Sequence, residues 1–334
     1  MDPLLKQLPS SCREALKKKK QPTWTHPMLA TLTDEVFSDE DWIFERKLDG
    51  VRCLVFRTAR SVRLMSRNRN NMNSSYPELV DALKEQKRTA FVADGEIVAF
   101  KGRRTSFSRL QPRMHVQDED EARQSGVKVF LYLFDLLHLA GYDTTALPLL
   151  ERKKLLKRAL EYRDPIQFSA HRNQQGKSFF NDACDRGWEG LIAKRARSVY
   201  RHARSRDWLK FKCTNRQELV VGGWTDPKGN RTGLGALLVG HYHRDRLLYA
   251  GKVGTGYDEQ TLGDLRQRLD RLKRQTCPFE LAPDQAPDVH WVTPKLVIEV
   301  EFTEWTHEGK LRHPRYVGLR HDKDAREVVR ESPR

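Results

Sequence analysis

A chain of 334 residues is long enough for one large domain or two of ordinary size. Its 61 Lys and Arg outnumber 45 Asp and Glu, giving a formal charge of +16 and a pI of about 9.7, which points to a polyanionic partner. With 38% hydrophobic residues the chain can build a core, which excludes global disorder, and no run of 18 apolar residues is present to form a spanning helix.

The start of the chain is a basic extension, residues 1–25, with 6 basic and 2 acidic side chains. Its Lys17-Lys18-Lys19-Lys20 run follows no apolar stretch of signal-peptide length, so the expected location is the cytoplasm, and the segment reads as a flexible, phosphate-seeking tail. Strands are expected at Trp42-Ile43-Phe44-Glu45 and Arg52-Cys53-Leu54-Val55-Phe56, flanking Lys47-Leu48-Asp49-Gly50, where Asp-Gly marks a turn. A lysine there is by default a solvated hairpin tip. Its alternative is a nucleophile, made competent by neighbouring charge or desolvation.

A helix is expected over Pro77–Lys87, buried strands over 91–100 and 127–135, and a second helix over Pro148–Tyr162. The texture changes near Cys213. Residues 1–213 hold 41 basic and 27 acidic side chains, net +14, whereas residues 214–334 are almost neutral at +2. Downstream come short glycine-punctuated strands at 218–224, 235–243, 246–253 and 295–304, with one helix over Asp258–Arg274 whose Leu262, Leu265, Leu269 and Leu272 form a stripe. That mix suits a small oligonucleotide-binding (OB) barrel. The organisation expected is therefore α+β: an extension at 1–25, a mixed domain at 26–213 and an OB-fold domain at 214–334. The five cysteines lie far apart without a C-x-x-C pair and are expected to be reduced thiols.

Several short segments carry chemistry together. Lys47-x-Asp49-Gly50-x-Arg52 is followed in order by Ser66-Arg67-Asn68, Asp94-Gly95-Glu96, Phe134-Asp135, Glu189-Gly190-Leu191-Ile192-Ala193-Lys194, Trp208-Leu209-Lys210-Phe211-Lys212 and Arg320-x-Asp322-Lys323. This order resembles the nucleotidyltransferase motifs of ATP-dependent DNA ligases, RNA ligases and capping enzymes. Leu311-Arg312-His313-Pro314 and the glycine-rich runs of the second half resemble more particularly the ligase module of LigD-type bacterial end-joining ligases. The resemblance spans residues 26–331. Those proteins usually carry polymerase and phosphoesterase modules too, for which 334 residues leave no room, so the expectation is a stand-alone ligase of that type or an excised module.

The resemblance implies a nucleotidyltransferase domain followed by an OB fold, and sealing of 5′-phosphate/3′-hydroxyl breaks through a lysyl-AMP intermediate on Lys47. It implies that Asp49, Lys210 and Lys212 assist catalysis, and that Glu45, Arg52, Glu96, Phe134, Lys194, Lys210, Lys212 and Arg320 contact ATP. Phe134 would stack on the adenine. Glu96 and Glu189 would hold Mg²⁺, with Mn²⁺ as the alternative; Arg67 would grip a DNA phosphate; Arg320, Asp322 and Lys323 would orient pyrophosphate after domain closure. Implied partners are nicked or broken double-stranded DNA and a Ku-like end-binding protein, with the enzyme a monomer at the bacterial nucleoid. An RNA ligase or other covalent nucleotidyltransferase, and a catalytically idle DNA-binding scaffold, remain the alternatives.

Overall fold

The computed structural model describes residues 1–114, 116–227, 233–281 and 288–331. The chain divides into two compact units, one covering Met1–Cys213 and a second beginning at Thr214.

The first unit holds two sheets. In the larger, β3 (Val51–Arg57) pairs antiparallel with β4 (Val62–Ser66) and β5 (Phe91–Lys101), and β5 pairs with β6 (Val129–Leu139), which takes β7 (Ile166–Phe168) in parallel. The smaller runs β8 (His171–Asn173), β2 (Trp42–Arg46), β9 (Gly190–Arg195), β10 (Arg204–Lys212) and β1 (Leu29–Leu32). Alternation along β3 sends Val51, Cys53 and Val55 to the main core, while Leu54 and Phe56 join a second cluster with Phe134 and Trp208. That second cluster joins the two sheets, because Trp208 belongs to the smaller one.

Helix α1 (Pro77–Lys84) starts on proline and buries Leu79, Val80 and Leu83; it is one turn shorter than the spacing suggested. Helix α2 (Leu149–Ala159) buries Leu149, Arg152, Lys153, Leu155 and Leu156. Helix α3 (Gly176–Asp185) packs Phe179 and Ala183 with Phe44, Leu191 and Phe211 of the smaller sheet.

Two expectations are corrected here. Residues 1–25 are not a flexible tail: short helices at Pro3–Lys6 and Ser10–Ala15 bury Leu4, Leu5, Leu8 and Cys12 in the main core, and Lys17–Lys18 pairs with Tyr142–Asp143. Each such leucine contributes roughly 1.5–3 kcal/mol of burial, enough to order a segment that charge counting alone describes as solvated. The cysteines are not all thiols either. Cys184, at the end of α3, is disulfide-bonded to Cys213, with Cα atoms 5.3 Å apart. A separation of 29 residues hid this, but the short connection from α3 into β9 and the pairing of Gly190 with Lys212 bring the two together.

The second unit is built on one long strand, β11 (Asn215–Thr225). It pairs over Asn215–Val220 with β15 (Val297–Phe302), over Val220–Trp224 with β12 (Leu237–His243) in a ladder whose register shifts between Val221 and Gly223, and over Gly223–Thr225 with β14 (Val289–Val292). Strand β13 (Arg246–Val253) pairs with β12, and β16 (Arg315–Leu319) with β15. A single bent strand shared by several partners is how a small barrel curls. Helix α4 (Glu259–Asp270), capped by the Asp258 side chain, buries Leu262, Leu265 and Leu269. It ends before the expected Arg274 because Lys273–Arg274 instead pairs with Trp291 and Val292.

Candidate active site between two sheets

Strands β2 and β3 belong to different sheets, so Lys47-Leu48-Asp49-Gly50 is a crossing between layers and not a hairpin tip. Glycine is required at both ends of the arrangement. A Cβ on Gly50 would stand 2.2 Å from the Ile97 carbonyl oxygen, and Gly190, at φ +146°, would place one 1.9 Å from that of Phe211. The Lys47 amide donates to the Gly190 carbonyl at 2.9 Å, and its side chain, 19% exposed, is ion-paired with Glu189. Asp49 is buried. Its amide donates to Thr105 Oγ1 at 3.1 Å, and the Phe107 amide donates to its carboxylate at 3.2 Å. Asp49 thus braces the crossing.

From the larger sheet come Arg52, Asp94, Glu96 and Phe134. Arg52 stands opposite Glu96 in the ladder and donates two 2.6 Å bonds to Asp94. A third goes to the Met28 carbonyl at 3.0 Å, and the Tyr200 hydroxyl donates to the same Asp94 at 2.6 Å. Burial acts to lower the Arg52 guanidinium pKa, but Asp94 more than offsets it and raises it overall. That guanidinium lies 4.8 Å from the centre of the Phe134 ring.

From the smaller sheet, the ladder aligns Glu45, Ile192 and Lys210 in one row and Ile43, Lys194 and Trp208 two rows on. Trp208, Lys210 and Lys212 share one face of β10, opposite to Leu209 and Phe211. Lys194 is buried, 4.3 Å from the Phe134 ring centre and 4.2 Å from that of Trp208, and donates to Glu45 at 3.0 Å. The other Glu45 oxygen accepts from Lys153 of α2 at 2.6 Å. Burial brings Lys194 down to about 8 despite Glu45. Burial acts to raise Glu45 as well, yet its two lysines hold it below the usual carboxylate range.

The structure therefore joins Lys47 with Glu189, Glu45 with Lys194, and Arg52 and Lys194 with Phe134. Arg67 leaves the end of β4 half-buried in a turn where the Asn70 amide donates to Ser66 Oγ at 3.1 Å. Arg320, Asp322 and Lys323 belong to the second unit. Arg320 makes 2.9 and 2.8 Å bonds to Asp322 and one of 3.3 Å to Glu299, while Lys323 pairs with Glu218 at 3.1 Å. A merely solvated charge run is excluded for Arg320 and Asp322, which are nearly buried.

Sequence reasoning missed Lys153, Asp94, Tyr200 and Trp208 as site residues. A signal existed for Lys153: positions 149, 152, 153 and 156 are the i, i+3, i+4, i+7 stripe of α2, so Arg152 and Lys153 sit on its core face.

Among the described residues no three His, Cys, Asp or Glu side chains cluster as a metal cage. Mg²⁺ is ordinarily held by one or two carboxylates together with substrate phosphates and needs no such cage.

A lysine on a sheet-to-sheet crossing, ion-paired with Glu189 in a unit whose two sheets also bring Arg52 and Lys194 against Phe134, and followed by a small barrel, is the arrangement of a covalent nucleotidyltransferase with an OB-fold partner domain. Comparison with known proteins makes this specific. The family model for the ATP dependent DNA ligase domain matches residues 27–212, and that for the ATP dependent DNA ligase C terminal region matches 230–323. The chain belongs to the ATP-dependent DNA ligases. It is 38% identical over 324 residues to the multifunctional non-homologous end joining protein LigD of Pseudomonas aeruginosa, covering 95% of this chain and 38% of that protein. It is 37% identical over 313 residues to the Mycobacterium tuberculosis H37Rv LigD, covering 91% and 40%. The chain thus spans about two-fifths of the length of these curated relatives. A solved mycobacterial DNA ligase D, complexed with ATP and MES, superposes with a TM-score of 0.62 at 34% identity, covering 92% of this chain and 98% of that one.

Proposed function

We propose that this chain seals 5′-phosphate/3′-hydroxyl breaks in double-stranded DNA, in the end-joining repair that its relatives are named for, with Lys47 as the nucleophile. The observation carrying this reading is the placement of Lys47 on the crossing, paired with Glu189 and braced by Asp49. In the first step the Lys47 amine, having given up its proton, attacks the α-phosphorus of ATP; a P–N bond forms, the α–β anhydride breaks and pyrophosphate leaves. A DNA 5′-phosphate oxygen then attacks the same phosphorus, and lysine departs, regaining a proton. The 3′-hydroxyl finally displaces AMP and closes the backbone.

Buried Lys194 and half-buried Lys210 and Lys212 offer positive charge to a phosphate, so they are assigned to the α-phosphate, with Arg52 and Glu45 fixing the nucleotide and Phe134 stacking on its base. Arg67 is assigned to the DNA 5′-phosphate, and the Arg320–Asp322–Lys323 cluster to the pyrophosphate of the adenylation step. Glu96 and Glu189 would hold Mg²⁺ or Mn²⁺, which when bound supplies counter-charge to the phosphates. We assign the chain to the bacterial cytoplasm and nucleoid, acting as a monomer beside a Ku-like end-binding protein.

The test is incubation with α-labelled ATP and divalent metal, followed by a nick-sealing assay. Wild-type protein should become labelled and seal; Lys47→Ala should lose both and keep its affinity for DNA. A labelled Lys47→Ala protein would sink the assignment.

A further inference from the structure

The buried Lys153 is absent from every motif that marks this site, yet it has three partners there. Its ammonium donates to Glu45 at 2.6 Å, to the Ser169 carbonyl at 3.0 Å and to the Phe134 carbonyl at 3.5 Å. The opposite Glu45 oxygen accepts from Lys194 at 3.0 Å and from the Ser169 hydroxyl at 3.2 Å. Glu45, Lys153 and Lys194 are each 2–3% exposed at the side chain. Two cations therefore share a single carboxylate in a space walled by Phe134, Phe168 and Trp208.

An ion pair needed only for folding would contain one of each charge, because a surplus buried cation is costly. The surplus is useful where an anion will arrive. We propose that Lys153 is a positioning residue for nucleotide transfer: anchored on α2, it holds Glu45 and the Phe134 backbone, and through Glu45 fixes where the Lys194 ammonium stands. This rests on the reading of the site as a nucleotide-binding one and assigns a part to a residue on a helix outside both sheets.

The charge logic yields a readout that a structural role would not move. Lys194 faces Glu45 from β2, Lys153 from α2 and Asp135 from β6, with His171 of β8 beside the same cluster. Of these the neighbouring lysine acts to keep Lys194 deprotonated more readily, so its loss lets Lys194 hold a proton to higher pH.

The experiment measures the rate and the KM for ATP of self-adenylation, against pH, for wild type, Lys153→Met and Lys153→Gln, with thermal unfolding run in parallel. Gln keeps a donor for Glu45 and loses the charge. In both variants the KM for ATP should rise about three- to tenfold, and the descending alkaline limb should move up by at least half a pH unit. A folded variant with wild-type KM and limb overturns the proposal, and so does failure of both variants to fold, which would make Lys153 a stability residue alone. Absence of labelling in wild type would instead overturn the function assigned to the site.

Discussion

The guanidinium of Arg152 donates to both oxygens of Asp135, at 2.7 and 2.9 Å, and to the carbonyls of Leu147 and Ser198; both side chains of the pair have no exposed surface. Asp135 directly follows Phe134, so this pair fixes the strand that carries the ring. Removing one partner leaves a buried charge without compensation, which costs about 3–5 kcal/mol. Arg152→Met should therefore lower unfolding free energy by about that amount in denaturant titration, and a loss below 1 kcal/mol would mean that the pair contributes little. Residue-scale legibility was uneven for a physical reason. Lys47, Asp49, Gly50 and Arg52 lie within six residues of chain, so their chemistry reads locally. The Glu45–Lys153–Lys194 cluster gathers residues 108 and 149 apart in sequence, and no local spacing encodes it.

At the scale of elements, strands were legible where alternation or a buried run was long, as in β5 and β6, and helices where a leucine stripe repeated. Their ends were less so. Helix α4 stops at Asp270 because the ladder claims Lys273 and Arg274, a long-range partner that propensity does not contain. The pairing of Cys184 with Cys213 was hidden for the same reason, and it ties the last turn of α3 to the residue after Lys212. Under denaturing, non-reducing conditions an alkylating reagent should modify three cysteines, Cys12, Cys53 and Cys277, and five after reduction. Five before reduction would contradict the bond. With a separation of 29 residues, Cys213→Ser should lower stability by about 3–4 kcal/mol through the freedom it restores to the unfolded chain.

Across the whole molecule, charge and fold agree. The unit ending at Cys213 carries the +14, and it also holds the two sheets that present Lys47, Arg52 and Lys194. One-to-one ion pairs leave that excess unchanged; the buried Glu45–Lys153–Lys194 cluster holds one surplus cation, and exposed Lys17, Lys18 and Arg69 keep theirs in solvent. Affinity for a nicked duplex should fall linearly on a log–log plot against salt, and Arg67→Ala should flatten that slope by about 0.9 if it contacts one phosphate. Self-adenylation of the same variant should be unchanged; an unaltered slope with impaired adenylation would reverse the assignment. The crossing that carries Lys47 has a further, mechanical consequence. One end is moored to β2 in the smaller sheet and the other to β3 in the larger, so the amine acts as a gauge of the gap between them. Enlarging or shrinking a side chain of the shared layer, such as Leu54, changes that gap from within the core. Because a misplacement of about 1 Å can cost a hundredfold in rate, a volume-conserving variant such as Leu54→Met, whose cost in stability is under about 1.5 kcal/mol, should lose more activity than its small drop in melting temperature accounts for.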